Sequence, residues 1–440
     1  MSSEGPTKSL GPEDIVRLSR KHVFYSWSVQ STVDPIPVAG GEGIFYWDAD
    51  GRRYMDFSSQ LMSLNIGYQH PKVIAAIQEQ AAKLCSAHPG AAHEPKAILG
   101  QRIAEVTPGD LNKVFFTLGG ADANENAVKF ARQYTGRQKI LARYISYHGA
   151  TYGAITLSGD YRRPPVEPGI PGVVHAFDPH CYRCVFGYTP DICHRECITH
   201  IEQMIQYEGP ETIAALIMEG VTGSNGILVP PDDYWPRLRE ITRKYGILLI
   251  SDEVMTGFGR TGKWFAVDHW DVVPDIITIA KGLTSGYLPL GGVVVSDAIA
   301  QHFENKMLYM GLTYYGHPLS CAAGIATLQV YKDEDLVGNS HRLGKVLAAE
   351  LGRMKERRPA IGDVRSIGLF STIELVRDRA TRDPMDAGTM NAIKARLLAD
   401  GLTTYVNRNM VFVCPPLVID KGQLLTGLEI IDRAIAAATS

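Results

Sequence analysis

Short apolar runs alternate with amphipathic segments along the middle of the chain. Continuously apolar runs predict strands, and apolar residues recurring at helical spacing predict helices. The predicted helices are 70–84, 122–136 and 234–246, and the predicted strands are 113–118, 138–144, 214–219, 247–254, 275–280 and 291–296. Strands without a polar face must be covered on both sides. The pattern therefore predicts an α/β fold with a mostly parallel central sheet between helices.

The chain before and after this alternation has a different pattern. Residues 43–57 suggest a hairpin that turns at Asp48–Gly51, and 317–334 reads as one long helix. The remainder mixes helices and strands in a smaller α+β lobe. We predict three units: an N-terminal segment (1–60) packing with the small domain, a large domain (61–325) and a C-terminal small domain (326–440).

Composition narrows the class of partner. The 440 residues are 45% hydrophobic and 21% charged, which is ordinary for a globular protein. A net charge of −3 with dispersed basic residues gives no footprint for nucleic acid or an anionic membrane. No run reaches the roughly 18 apolar residues of a membrane span, and the N-terminus lacks the apolar core of a signal peptide. We expect a cytoplasmic protein that acts on small molecules.

The chain has seven cysteines, an odd number that favours a reducing compartment over a disulfide framework. Four of them lie close together in HCYRCVFGYTPDICHREC: Cys181, Cys184, Cys193 and Cys197. C-x2-C followed by C-x3-C resembles the spacing of zinc ligands. The alternative is a surface loop with packed thiols. The spacing leaves both open, and we assign no metal to the catalytic site.

One lysine stands out in ITIAKGLTSGYLPLGG, where Lys281 lies between an apolar run and a cluster of glycines. A desolvated ammonium either reaches water, pairs with a carboxylate or loses its proton. A neutral amine can condense with an aldehyde, as lysine does with pyridoxal 5′-phosphate (PLP). A structural ion pair is the alternative for a lone lysine.

Three further features lie where predicted strands end, the edge at which α/β sheets bind ligands. Gly119-Gly120-Ala121 precedes a helix, so free N–H groups there could bind phosphate, although an empty turn has the same sequence. Asp252 ends an apolar strand and could keep a pyridine nitrogen protonated. The alternatives are that Asp252 caps a helix or that it binds Mg²⁺. Tyr147 could stack on a flat cofactor or simply pack in the core.

These features occur in order along one α/β region, with Asp252 and Lys281 29 residues apart, about one strand–loop–strand unit. Their combination predicts a PLP site. At these residues the chain resembles the class III PLP-dependent aminotransferases, of fold type I, over nearly its whole length. The most specific motifs are LLISDEVMTGFGRTG and ITIAKGLTSGYLPLGG.

The resemblance implies a role for each matched residue. Lys281 would form the Schiff base and transfer the proton, and Asp252 would pair with the pyridine nitrogen. The other implied cofactor-binding residues are Gly120, Ala121, Tyr147, His148, Glu219 and Val254, with Thr313 reaching the phosphate in the partner subunit. The resemblance also implies a homodimer, or a dimer of dimers, with the active site at the interface.

Two positions depart from the family pattern. Family members usually have Ser-Gly-Ser-Glu at the phosphate turn, whereas this chain has Gly119-Gly120-Ala121-Asp122. Ala121 lacks the hydroxyl, so phosphate binding would depend more on backbone amides and Thr313. Gly220 replaces the usual proline after the glutamate, which affects the local backbone rather than the carboxylate.

The resemblance also bears on the substrate. Members that bind a distal carboxylate usually carry arginine after His-Gly, where this chain has Ala150, so the motif is more similar to amine:pyruvate and taurine:pyruvate aminotransferases. Arg408, seven residues before Pro415, is the candidate for the acceptor carboxylate; a solvated turn arginine is the alternative. Leu61 and Met62 fall where members line the substrate pocket.

We therefore expect a ping-pong aminotransferase that moves an amino group from a primary amine or omega-amino acid to pyruvate or another 2-oxo acid. An aminomutase or a decarboxylating aminotransferase would keep the same PLP residues. A non-catalytic protein that retains the fold is the third alternative.

Overall fold

A computed structural model describes residues 10–439 of the chain. Its helices are α1 Pro12–His22, α2 Ser59–Met62, α3 Pro71–Lys83, α4 Glu94–Ala104, α5 Gly120–Thr135, α6 Tyr152–Leu157, α7 Glu196–Glu208, α8 Tyr234–Tyr245, α9 Asp297–His302, α10 Pro318–Asp333, α11 Leu336–Arg357, α12 Ala387–Ala399 and α13 Lys421–Thr439. Its strands are β1 Val38–Glu42, β2 Phe45–Asp48, β3 Arg53–Asp56, β4 Leu111–Thr117, β5 Lys139–Arg143, β6 Val173–Ala176, β7 Ile213–Glu219, β8 Leu248–Asp252, β9 Ile276–Ile279, β10 Gly291–Ser296, β11 Ile361–Ile367, β12 Phe370–Leu375, β13 Leu402–Thr403, β14 Val406–Asn407 and β15 Met410–Val413.

The central sheet has seven strands in the order β4-β10-β9-β8-β7-β5-β6. The pairs from β9 to β6 are parallel, and β10 is antiparallel to both of its neighbours. Every residue of β7 and β9 is buried, as expected for strands covered on both faces. The predicted α/β class with a mostly parallel sheet is confirmed. Of the seven strands of this sheet, the sequence patterns missed one, the edge strand β6, and they also missed the helices α4, α6, α7 and α9.

Helix α5 shows how one face of the sheet is covered. Its apolar residues Ala123, Ala127, Phe130 and Ala131 are buried against the sheet in one hydrophobic cluster. The helix ends at Gly136, whose φ of 71° is the left-handed conformation that glycine adopts readily at a helix C-terminus. This packing fixes the start of α5 beside the ends of the central strands.

Two smaller sheets join the ends of the chain. The first has the order β1-β2-β3-β13, and its parallel pair aligns Leu402 with Met55. The second has the order β11-β12-β15-β14. The β3–β13 pairing supports the predicted packing of the N-terminal segment with the C-terminal lobe, while the three unit boundaries stay a prediction.

A buried arginine links these parts. Arg260 donates to the carbonyl oxygens of Leu369 and Pro415 and to the side chains of Ser59 and Asn65, at 2.6–3.2 Å.

Within residues 10–439, no helix combines the length and the apolar character that a bilayer crossing requires.

Candidate active site

Three functional side chains meet at the carboxyl edge of the central sheet. Glu219 ends β7 and Asp252 ends β8, and the two residues are register partners on these parallel strands. Lys281 follows the neighbouring strand β9 after one residue. All three line one cavity of about 470 Å³, within the roughly 300–1,000 Å³ range of small-molecule sites.

Lys281 begins a short 3₁₀ turn with a φ of 36°. Burial lowers the pKa of Lys281 to about 8, although the carboxylates of Asp252 and Glu219 raise it, and Arg162 lowers it further. At pH 7 about a tenth of such an amine is uncharged, a few hundred times the neutral fraction of a lysine with the ordinary pKa of 10.5. A neutral amine is the form that attacks an aldehyde and accepts a proton.

Asp252 is held by donors from three elements. Its Oδ2 accepts hydrogen bonds from Asn124 Nδ2 and His148 Nδ1, both at 2.7 Å. Its Oδ1 accepts the Val254 N–H at 3.0 Å. Asn124 is fixed in turn by the Thr278 hydroxyl at 2.7 Å. The carboxylate is thus kept in one orientation at the floor of the cavity, where a ligand nitrogen could pair with it.

Glu219 is the second buried carboxyl group of the cavity. Its two oxygens accept the N–H groups of Tyr147 at 3.1 Å and Gly223 at 2.6 Å. Burial raises the pKa of Glu219, and the charge of Asp252 raises it further. By accepting the Tyr147 N–H, Glu219 holds the backbone of Tyr147 beside the cavity.

The predicted phosphate turn has the geometry of an anion site. Helix α5 begins at Gly120, and the first N–H groups of a helix have no partner within it. A Cβ atom on Gly120 would lie 2.6 Å from Val254 Cγ1, so only glycine lets these two segments approach so closely. Gly119, Gly120 and Ala121 all line the cavity.

Tyr147 carries a cation on one face of its ring. The guanidinium carbon of Arg162 lies 3.8 Å from the ring centroid, so only the other face can stack on a flat ligand. Arg162 is paired with Asp160 and donates from Nη2 to the Ser224 hydroxyl at 2.8 Å. In the part of the chain that the structure describes, Nη1 of Arg162 has no hydrogen-bond partner.

The structure brings most of the predicted site residues together. The cavity is lined by Gly120, Ala121, Tyr147, His148, Ala150, Glu219, Asp252, Val254 and Lys281. Thr313 is exposed and lies outside this cavity, and its role at the cofactor of a partner subunit stays a prediction.

The three remaining substrate candidates also lie outside the cavity wall. Arg408 lines a neighbouring cavity, with its guanidinium 5.1 Å from the Tyr161 ring. Residues 59–62 all have positive φ, so this turn is left-handed and directs Met62 into the core while leaving Leu61 58% exposed. A role for these three residues in substrate binding stays a prediction.

Sequence reasoning missed Asn124, which lines the cavity, and Arg162, which lies outside the lining but packs on Tyr147. Asn124 could have been found, because it lies one helical turn after Gly120 and so faces the same side of α5. Arg162 gave no signal, since it belongs to an irregular segment between α6 and β6. Only the folded chain brings its side chain to Tyr147.

Comparisons with known proteins agree with this geometry. Residues 27–435 match the family model for Aminotransferase class-III. The hypotaurine/taurine–pyruvate aminotransferase of Paracoccus denitrificans is 35% identical, over 98% of this chain and 99% of that protein. The leucine/methionine racemase of Thermococcus litoralis is 37% identical, over 96% of this chain and 95% of that protein. The solved taurine:2-oxoglutarate aminotransferase of Bifidobacterium kashiwanohense, in complex with PLP and glutamate, has a TM-score of 0.94 at 40% identity, covering 98% of this chain and 99% of that one.

The chain therefore belongs to the class III aminotransferases, PLP-dependent enzymes of fold type I. The predicted family, enzyme class and cofactor are confirmed. The residues of the cavity fit PLP: an amine with a lowered pKa for its aldehyde, a fixed carboxylate for its ring nitrogen and a helix N-terminus for its phosphate.

Proposed function

We propose that this protein is an aminotransferase that moves the amino group of a primary amine or omega-amino acid to a 2-oxo acid by a ping-pong mechanism. The observation that carries the proposal is Lys281, whose pKa burial lowers to about 8, in one cavity with Asp252. PLP supplies an aldehyde that takes up the amino group and a protonated ring that stabilises the negative charge left when a C–H bond breaks.

The chain's own residues direct this chemistry. The neutral Lys281 amine removes the proton from the substrate carbon and returns it to the cofactor side, acting as base and then as acid. The fixed carboxylate of Asp252 would keep the ring nitrogen protonated when the cofactor is bound. Val254 and the free face of Tyr147 would enclose the ring between them, and the N–H groups at Gly120 and Ala121 would bind the phosphate.

Arg162 is positioned to bind an acidic group of the substrate. Its guanidinium lies on the face of Tyr147 that points away from the proposed cofactor, and it contacts Ser224, which lines the cavity. Its charge acts on Lys281, and its free Nη1 can donate to a carboxylate or a sulfonate. The Tyr161 ring lies beside both arginines, with its centroid 5.1 Å from the guanidinium carbon of Arg408 and 5.4 Å from that of Arg162. Arg408 lines a neighbouring cavity and not the one that holds Lys281. We infer that Arg162 makes the primary contact with the acceptor, in preference to the sequence candidate Arg408.

Matched variants test this assignment. Arg162→Met should raise the KM of the 2-oxo acid by at least ~10-fold, as expected for losing a charge-assisted hydrogen bond. The reaction with an uncharged primary amine in the absence of acceptor should change much less. Arg408→Met is the comparison variant. If only Arg408→Met raises the KM of the acceptor, the assignment to Arg162 is wrong.

We also propose that two chains form the functional unit. Thr313 lies outside its own chain's cavity, and three large apolar side chains near it are exposed: Met307, Tyr309 and Tyr314 are 70%, 77% and 60% accessible. An exposed cluster of this kind is typical of a subunit interface. Sedimentation velocity should give a dimer or a dimer of dimers; a monomer that retains full activity contradicts this part of the proposal.

Racemisation is the second candidate function, because one relative with 37% identity is named a leucine/methionine racemase. Both reactions begin with removal of a proton by Lys281. They differ in where the proton is returned. An aminotransferase returns it on the cofactor side and transfers the amino group, whereas a racemase returns a proton to the opposite face of the same carbon and leaves the amino group on its substrate.

A panel of donors with pyruvate or 2-oxoglutarate separates the candidates. An aminotransferase changes the absorbance of its bound cofactor when an amine is added without acceptor, and then forms one new amino acid for each donor consumed. A racemase inverts leucine or methionine without an acceptor. Absence of both reactions over a broad panel contradicts the proposed function.

A further inference from the structure

The four clustered cysteines surround a small cavity away from the Lys281 site. Cys181 and Cys184 lie in the irregular segment between β6 and α7, Cys193 precedes α7, and Cys197 lies in its first turn. All four line one cavity of about 20 Å³. A cavity needs roughly 10–15 Å³ to hold one water molecule, so this cavity has room for one water molecule or one ion of similar size.

All four thiols are free, since none of them is in a disulfide. Cys197 is buried and Cys184 and Cys193 are partly buried, so these side chains are largely shielded from bulk water. Four free sulfur ligands around a space for one ion form the donor set that a thiophilic cation selects.

The local backbone is suited to a thiolate ligand. The Arg195 N–H donates to Cys193 Sγ at 3.2 Å, two residues back in sequence. Such N–H donors orient a ligand sulfur and stabilise its negative charge. The Cys193 thiol itself donates to Glu196 at 3.2 Å, a proton that a metal ion would displace.

We propose that Cys181, Cys184, Cys193 and Cys197 bind one Zn²⁺ as a structural site. Four thiolates with C-x2-C and C-x3-C spacing form a closed tetrahedral shell that zinc prefers. On binding, each of the four Sγ–H bonds releases its proton to solvent and is replaced by an S–Zn bond. Among residues 10–439, no three Cys, His, Asp or Glu side chains already stand in ligand positions, so metal binding requires the sulfur atoms to move towards the ion.

The site would stabilise a contact between the two lobes. Tyr182 and Arg183 lie between the first two cysteines. Arg183 donates to Glu374 of β12 at 2.6 Å, and Arg382 donates to the Tyr182 carbonyl. A metal ion that fixes Cys181 and Cys184 would therefore fix the segment that joins the central sheet to the C-terminal lobe.

Metal analysis of the full-length protein, purified without chelator in the presence of reductant, tests the proposal. We expect about one zinc per chain in the wild-type protein and less than about a tenth in Cys181→Ser/Cys197→Ser. Cys85→Ser removes an exposed cysteine outside the cluster and should keep the zinc. PLP content and transamination are measured separately, so loss of zinc and loss of the proposed function can be distinguished.

A second measurement does not depend on the folding of any variant. The reduced wild-type protein, stripped of metal, is titrated with Co²⁺. One equivalent should give the intense visible absorption of tetrahedral thiolate coordination, and Zn²⁺ should abolish it. Failure to bind either ion overturns the proposal. Two disulfides among these cysteines in the protein purified under reducing conditions, found by non-reducing peptide mapping, also overturn it.

Discussion

Replacing Lys281 by methionine tests the electrostatics of the site without any assay of catalysis. An amine whose pKa is 10.5 in the unfolded chain and about 8 in the folded protein makes stability depend on pH between these values. Above pH 10.5 the amine is neutral in both states. As the pH falls towards 8, the unfolded chain gains a proton that the folded protein does not, so stability is lost.

The magnitude follows from the difference between the two pKa values. At 1.36 kcal/mol for each pKa unit, the cofactor-free protein should lose about 3 kcal/mol from this group as the pH falls from 10.5 to 8. Lys281→Met lacks the ionisable amine and should lack this loss. The variant should therefore be more stable than the wild-type protein by up to about 3 kcal/mol at pH 7.5.

Urea unfolding of both cofactor-free proteins, at intervals from pH 7.5 to 10.5, measures the effect. Other groups titrate in this window, so the quantity of interest is the difference between the two proteins. Lys345→Met, on the exposed face of α11, is the control for loss of a lysine charge. Parallel stability curves for wild type and Lys281→Met would refute the lowered pKa and the role built on it.

Three further variants test other parts of the site. Asp252→Asn should lower kcat by ~10²–10³ with the cofactor still bound, because the ring nitrogen loses its fixed charge partner; an unchanged kcat contradicts the role of Asp252. Asn124→Asp puts a second carboxylate at the 2.7 Å contact with Asp252, so it should impair turnover more than Asn124→Ala, and the reverse order of kcat values argues against this network. Gly120→Ala places a Cβ 2.6 Å from Val254 and should cost about 1–3 kcal/mol of stability and weaken PLP binding in a cofactor titration. Gly352→Ala, a helix position with open space, is its control and should be neutral or stabilising.

The residues that sequence reasoning found are those whose position follows from a strand. Asp252 and Glu219 end continuously apolar strands, and Lys281 follows another, so their convergence could be predicted once the strands were seen to be parallel. The helix start at Gly120 was predictable for the same reason. These positions depend on local pattern and on one general property of α/β sheets.

The residues that were missed or displaced depend on contacts between distant parts of the chain. Arg162 reaches Tyr147 through an irregular segment that has no periodicity. Met62 is buried because residues 59–62 form a left-handed turn, a conformation that their side chains do not favour and that no propensity predicts. Thr313 is exposed and lies outside the cavity of its own chain, so its proposed role at a partner's cofactor stays a prediction.

Lys281 is the residue that we expect to bond PLP covalently. Borohydride reduction of the PLP-loaded protein, followed by peptide mapping with mass spectrometry, measures this directly. We expect one reduced PLP adduct per chain, on Lys281, and none in Lys281→Met. An adduct on a different lysine, or full retention of covalently reducible PLP by Lys281→Met, would contradict this assignment.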